Sequence, residues 1–111
     1  MPADHTVKSF DSELKRLIQE IAQMGGLAEA ELAQAIDALA RRDSEAATSV
    51  IESDRRVDAM EQEVSTLAVR ILALRQPMAA DLREVVAAIK ISSDIERIGD
   101  YSKSNAKRAA E

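Results

Sequence analysis

The stretch LALRQPMAADLREVVAAIKISSDIERIGD, Leu72 to Asp100, decides the fold. It opens on the end of one helical pattern, breaks at Pro77 and resumes with apolar Leu82, Val85 and Ile89, three and four residues apart. The residue before a proline is pushed out of the helical region, whereas proline itself suits the first turn of a helix. RQP therefore predicts a helix end followed at once by a new helix, and so short a link makes the two antiparallel. Beyond Ile89 the seam runs on to Ser92, Glu96 and Asp100, so two carboxylates stand where apolar residues are expected. A buried charge costs several kcal/mol unless it is paired or holds a cation.

Working back from Leu74, the positions Ile71, Leu67, Val64, Met60, Val57, Ser53 and Val50 continue one helical face. Asp43 precedes them as a good N-cap, and Arg41 and Arg42 before it suit the C-terminus of an earlier helix, so a tight reversal is expected there. That first helix shows Phe10, Leu14, Leu17, Ile21, Met24, Ala28, Leu32, Ala35 and Leu39 on one face. Gly25 and Gly26 fall in its middle, each weakening it by ~1 kcal/mol relative to alanine, which predicts a kink or a close backbone approach. The third helix is expected over about Met78 to Ala109, with Asp81 at its start and Lys103, Lys107 and Arg108 near its end, all favourable to the helix dipole. The expected fold is all-α: an up-down-up antiparallel three-helix bundle with helices of about 30 residues and ~45 Å. Residues 1–9 read as an N-terminal tail and 10–109 as the bundle.

A chain of 111 residues is one domain by length and hides roughly 65% of its unfolded surface, enough to fold alone. With 20 acids against 15 bases and a net charge of −5, it offers no broad phosphate-neutralising surface, which argues against nucleic acid as a partner. The absence of cysteine excludes disulfides and thiolate metal sites. MPADHTVKSF lacks the charged start and apolar middle of a signal peptide, and no run approaches a membrane span, so the expected location is cytoplasmic.

Counting outward from the second turn sets Asp54 level with Gly99 and Asp100, and Asp58 level with Ile95 and Glu96. The same count around the first turn brings Gly25 and Gly26 near Asp58, and Glu29 and Glu31 near Asp54. Asp54 to Asp58 and Glu96 to Asp100 are each four residues apart, so each pair shares a face at about 6 Å and repels. A cation between the helices would relieve that repulsion. Oxygen ligands favour magnesium, calcium, manganese or iron. The competing reading is a solvated acidic face, common in a chain with 32% charged residues and with Arg55, Arg56 and Arg97 nearby. A ferritin-like di-iron site would need Glu-x-x-His pairs, and the single histidine, His5, reads as a solvated tail residue.

The remaining features read as ordinary structure. Met24, Met60 and Met78 suit core or helix-edge filling, Tyr101 a partly buried ring, and Lys103, Lys107 and Arg108 dipole complements. A second stripe on the third helix, Ala88, Ile91, Ile95 and Ile98, together with Ile18 and Ile36 on the first, exceeds what three helices can bury. It predicts association with another copy or another segment.

RQPMAADLREVVAAIKISSDIERIGDYSKSNAKRA, with FDSELKRLIQEIAQMGGLAEAELAQAIDAL and VIESDRRVDAMEQEV, resembles the PhoU family over nearly the whole chain. The resemblance implies one three-helix repeat of a two-repeat architecture, matching the N-terminal half, either as a fragment or as a short protein. It implies metal binding at an E(D)xxxD motif, described in the family as iron or zinc clusters. Glu96 and Asp100 match that motif directly, and Asp54 and Asp58 match the acids of the preceding helix. The expected ion is divalent or trivalent, with iron, zinc, manganese and magnesium all open. The function so implied is a non-enzymatic cytoplasmic regulator of phosphate uptake and phosphate-regulon signalling. Its partners would be the ATPase of the phosphate ABC transporter and a sensor histidine kinase, and a homo-oligomer is expected. The alternative is a structural helical dimerisation module without a metal site. An enzyme ranks last, because no histidine, cysteine or nucleophile motif accompanies the acids.

Overall fold

The computed structural model describes the backbone of residues 2–111 and the side chains of residues 9–111. Three helices, α1 (Pro2–Arg41), α2 (Ser44–Arg75) and α3 (Ala80–Ala110), pack on one another in a rod of 60 × 19 × 17 Å, and no strand occurs among the described residues. The expected all-α three-helix bundle is the observed one. At 1.5 Å per residue, α1 alone accounts for the ~60 Å length. Its backbone is helical from Pro2, earlier than the apolar pattern starting at Phe10, because nothing in PADHTVKS breaks a helix and proline suits its first position. Met1 and the His5 side chain lie outside the described residues. Among the described residues no helix is long and apolar enough to cross a membrane.

Both reversals are tight. Arg42 takes a left-handed conformation (φ 54°), and Asp43 caps α2, its Oδ1 accepting from the backbone N–H groups of Glu45 and Ala46 at 3.1 Å. At the second link Gln76 (φ 46°) is left-handed, Ala79 also has a positive φ (51°), and α3 begins only at Ala80. Pro77 thus lies in the link and not in the first turn of α3. Beside this end Glu13 of α1 accepts from Arg75 Nε at 2.6 Å, with Arg70 Nε at 3.6 Å, pinning α1 to α2.

Among the described residues most of the buried apolar side chains form two clusters, with Met24, Ala28 and Val57 buried outside them. Near the second link Phe10, Leu14, Leu17, Ile21, Val64, Leu67, Ala68, Ile71, Val85 and Ala88 pack together; near the first link the cluster is smaller and made almost wholly of alanine: Ala35, Ala38, Ala47, Val50, Ala106 and Ala109. Several expected face assignments are corrected. In α1 the interior runs Ala28, Glu31, Ala35, Ala38, leaving Leu32 half-buried and Leu39 exposed. In α2 Asp54 takes the interior position expected for Ser53, and Leu74 is exposed. In α3 Val85, Ala88, Ser92, Gly99, Ser102, Ala106 and Ala109 are buried. Leu82 and Ile89 sit at the exposed edge, while Ala88 and Ile95, expected on the outer stripe, face the core. α1 runs unbroken through Gly25 and Gly26.

Candidate metal centre

Between the two apolar clusters the bundle interior is acidic. Asp54 enters from α2, and Glu31 from α1 lies at the same height, the register expected from counting around the first turn. Their exposures are 1% and 0%, and none of their four carboxylate oxygens has a hydrogen-bond partner. Buried carboxylates without partners are rare because desolvation is so costly. The other buried polar groups of this region behave differently: the Ser92 and Ser102 hydroxyls donate to the carbonyls of Ile89 (2.8 Å) and Ile98 (2.9 Å) and are satisfied within α3.

The third wall is Gly99. A methyl group placed there would stand 2.8 Å from Asp54 Oδ1 and 3.4 Å from both Glu31 Oε2 and Val57 Cγ1. Gly99 has no positive φ, so what glycine supplies is space for two carboxylates and not backbone freedom. Gly25 and Gly26, expected to open this approach, do not: Gly25 faces Ile95 Cδ1 at 3.6 Å, and Gly26 faces nothing within 4 Å.

Outward from this layer, Asp54, Asp58 and Asp100 each bring one carboxylate oxygen within 4.8 Å of the others. A hard cation bound at about 2.0–2.6 Å from each oxygen spans separations of that order. Asp58 is half-buried and Asp100 exposed, so the group opens to solvent on one side. Glu96, half-buried, lies beside Asp100 and outside the three-oxygen group. Of the four residues singled out in the sequence, the fold therefore brings three together around one point and sets the fourth at the rim.

The electrostatics follow from this crowding. Burial first, then the facing Asp54 carboxylate, then the charges of Asp58 and Asp100, push Glu31 up to about 8. Asp58 is raised by burial and by Asp54 and Asp100, with Lys103 pulling the other way; Glu96 is raised chiefly by its hydrogen bond with Asp100, then by burial. Among the described residues Lys103 alone pairs with the cluster, its Nζ 3.9 Å from Asp54 Oδ2, so it is more than a dipole complement. Arg97 instead faces Asp94 at 3.8 Å. One partly exposed lysine leaves most of the negative charge uncompensated. The donor set, all carboxylate and partly orphaned, fits a hard cation held by Asp54, Asp58 and Asp100.

Glu31 escaped the sequence reading as a site residue although its height was legible. The feature that identifies it is the three-residue step from Ala28, which carries Glu31, Ala35 and Ala38 onto the interior face in turn.

Comparison with known proteins adds an independent line. Residues 21–109 match the family described as PhoU domain. The chain is 50% identical over 106 residues to the phosphate-specific transport system accessory protein PhoU homolog of Caulobacter vibrioides, covering 96% of this chain and 46% of that protein. It is 51% identical over 105 residues to the protein of the same name from Xylella fastidiosa strain Temecula1, covering 95% and 43%. Against the phosphate-specific transport system accessory protein PhoU of Serratia marcescens it is 47% identical over 98 residues, covering 88% and 40%. The chain thus spans less than half the length of these relatives.

Proposed function

This chain belongs to the PhoU domain family, and from that membership we propose that it regulates phosphate uptake as a non-enzymatic, cation-binding accessory unit of the phosphate-specific transport system. In this reading residues 10–109 form the working unit. It acts in the cytoplasm as an adaptor between the ATPase of the phosphate transporter and a sensor histidine kinase. The names of the relatives support the transport role. The non-enzymatic reading rests on the lack of cysteine, a single histidine and no nucleophile motif beside the acids.

The cation reading is carried by one observation: the interior places Asp54 oxygens without hydrogen-bond partners beside Asp58 and Asp100, with a glycine admitting the Asp54 carboxylate against α3. Asp54, Asp58 and Asp100 are the proposed ligands, with Glu96 steering from the rim. The ion, whether iron, zinc, manganese or magnesium, supplies positive charge that relieves the repulsion between α2 and α3. The function of the centre is accordingly to set the stiffness and spacing of the bundle.

Melting temperatures measured with chelator and with each metal test this. A ligand binding only the folded state at a hundredfold excess over its Kd stabilises by about 2.7 kcal/mol. We expect one or more of these ions to raise the transition and Asp100→Ala to abolish the rise. Identical melting temperatures under all conditions would remove the centre and leave a structural helical module. Exposed Ile18, Ile36, Ile91 and Ile98 favour a second copy or another segment covering these faces. Sedimentation across micromolar concentrations should show self-association, and a strictly monomeric mass would refute the homo-oligomer. For the adaptor role, capture of the transporter ATPase and the kinase with and without phosphate is the direct measurement, and failure to capture either refutes it.

A further inference from the structure

Glu31 belongs to none of the acidic pairs that mark the centre. It reaches the same layer from the opposite helix, is fully buried, and leaves both oxygens without a partner. Glu31 Oε2 and Asp54 Oδ1 converge on the space that a methyl group at Gly99 would fill, at 3.4 and 2.8 Å from it. A single shared proton would satisfy one contact between these carboxylates and leave their other lone pairs dry, which does not account for so costly an arrangement. Alanine at Gly99 would favour the helix by ~1 kcal/mol, so glycine is kept there against local propensity, where a methyl group would collide with the Asp54 carboxylate.

We propose that Glu31 is an inner ligand of the centre, so that one hard divalent cation is held from all three helices, with Gly99 as the notch that lets the Glu31 and Asp54 carboxylates close up against α3. This rests on the reading of Asp54, Asp58 and Asp100 as a cation centre. It adds a ligand from α1, and with it a role for the ion in fixing α1 against the α2–α3 pair. An ion held only by the outer carboxylates would join two helices; one seated against Glu31 joins three.

Manganese(II) alone is the probe, its free concentration followed by electron paramagnetic resonance during titration of the whole chain. Folding is checked by circular dichroism melts. Glu31→Gln keeps the shape and removes the charge; Gly99→Ala fills the notch; Glu29→Gln, at an exposed position near Glu31 in sequence, is the control. We expect Glu31→Gln and Gly99→Ala to weaken manganese binding about tenfold or more, and Glu29→Gln to match the parent chain. Parent-like affinity in Glu31→Gln, with Asp100→Ala losing binding, would overturn the inner-ligand role while leaving the outer centre standing. Absence of manganese binding by the parent chain would overturn the centre and this inference together. Should Glu31→Gln fail to fold, Gly99→Ala decides: unchanged affinity with the notch filled overturns the proposal.

Discussion

Glu31 without a cation holds its proton across a pH range in which an exposed glutamate has lost it. Its ordinary value of 4.5 is pushed up to about 8 by burial, then by Asp54, then by Asp58 and Asp100. Between those values the folded chain binds a proton that the unfolded chain has released, so the folded state loses stability as pH rises through the window. Asp58 and Glu96, also raised, act in the same direction. Chelated protein should therefore melt higher at about pH 5 than at about pH 8. Glu31→Gln should flatten that dependence and stabilise the metal-free chain at the higher pH, by an amount on the order of a few kcal/mol. Metal-loaded protein should behave oppositely, because a cation must displace the same protons, so its stabilisation fades on acidification. Melts at matched ionic strength check both signs. A chelated chain that gains stability with rising pH would show that Glu31 is ionised when folded. A search for apolar periodicity steps past Glu31 onto its neighbour Leu32, although the three-residue step from Ala28 leads to it.

The helices themselves were largely readable. Asp43 and the RQP link marked both reversals, and the count outward from them set Asp54 level with Gly99, which the 2.8 Å between Asp54 Oδ1 and a methyl group placed at Gly99 bears out. Which residues face inward was less legible. Each step of four advances the face by about 40° and each step of three returns it by about 60°, so a single wrong choice rotates the pattern. Where the interior residue is a carboxylic acid, the pattern search settles on its uncharged neighbour: Leu32 for Glu31, Ser53 for Asp54. In α3 small Gly99 and Ser102 hold the interior, so the sequence pattern runs the seam on into the larger Glu96 and Asp100. Two substitutions test the observed elements. At Gly26 an added methyl meets nothing within 4 Å in a regular helical turn, so Gly26→Ala should stabilise by ~1 kcal/mol. Asp43→Ala removes the acceptor for the N–H groups of Glu45 and Ala46 and should destabilise by about 1 kcal/mol. Urea unfolding of the two variants should move the midpoint in opposite directions without changing the slope. A destabilising Gly26→Ala would mean that α1 bends there.

Across the whole molecule the acidic layer divides two cores of unequal strength. Phe10, Leu14, Leu17, Ile21, Val64, Leu67 and Ile71 anchor the end near the second link, where the Glu13 pairs with Arg70 and Arg75 add further ties. The other end holds alanines and Val50, which bury far less apolar surface per residue, so its hydrophobic stabilisation is correspondingly smaller. Local opening should follow that difference, with the alanine end separating at a lower free energy than the leucine end. The crowded carboxyl groups of Glu31, Asp54, Asp58 and Asp100 sit at the boundary and weaken its neighbour most. A cation there would reinforce the weaker end by cross-linking α1, α2 and α3 where hydrophobic contact is least. Native-state hydrogen exchange resolves this residue by residue. In chelated protein, amides around 35–50 and 99–109 should exchange faster than those around 14–21, 64–71 and 85–88. Manganese should slow the first set selectively, because the second is already protected up to global unfolding. Equal protection at both ends without metal, or uniform slowing on its addition, would mean that the bundle opens only as a single unit and that the acidic layer does not separate its halves.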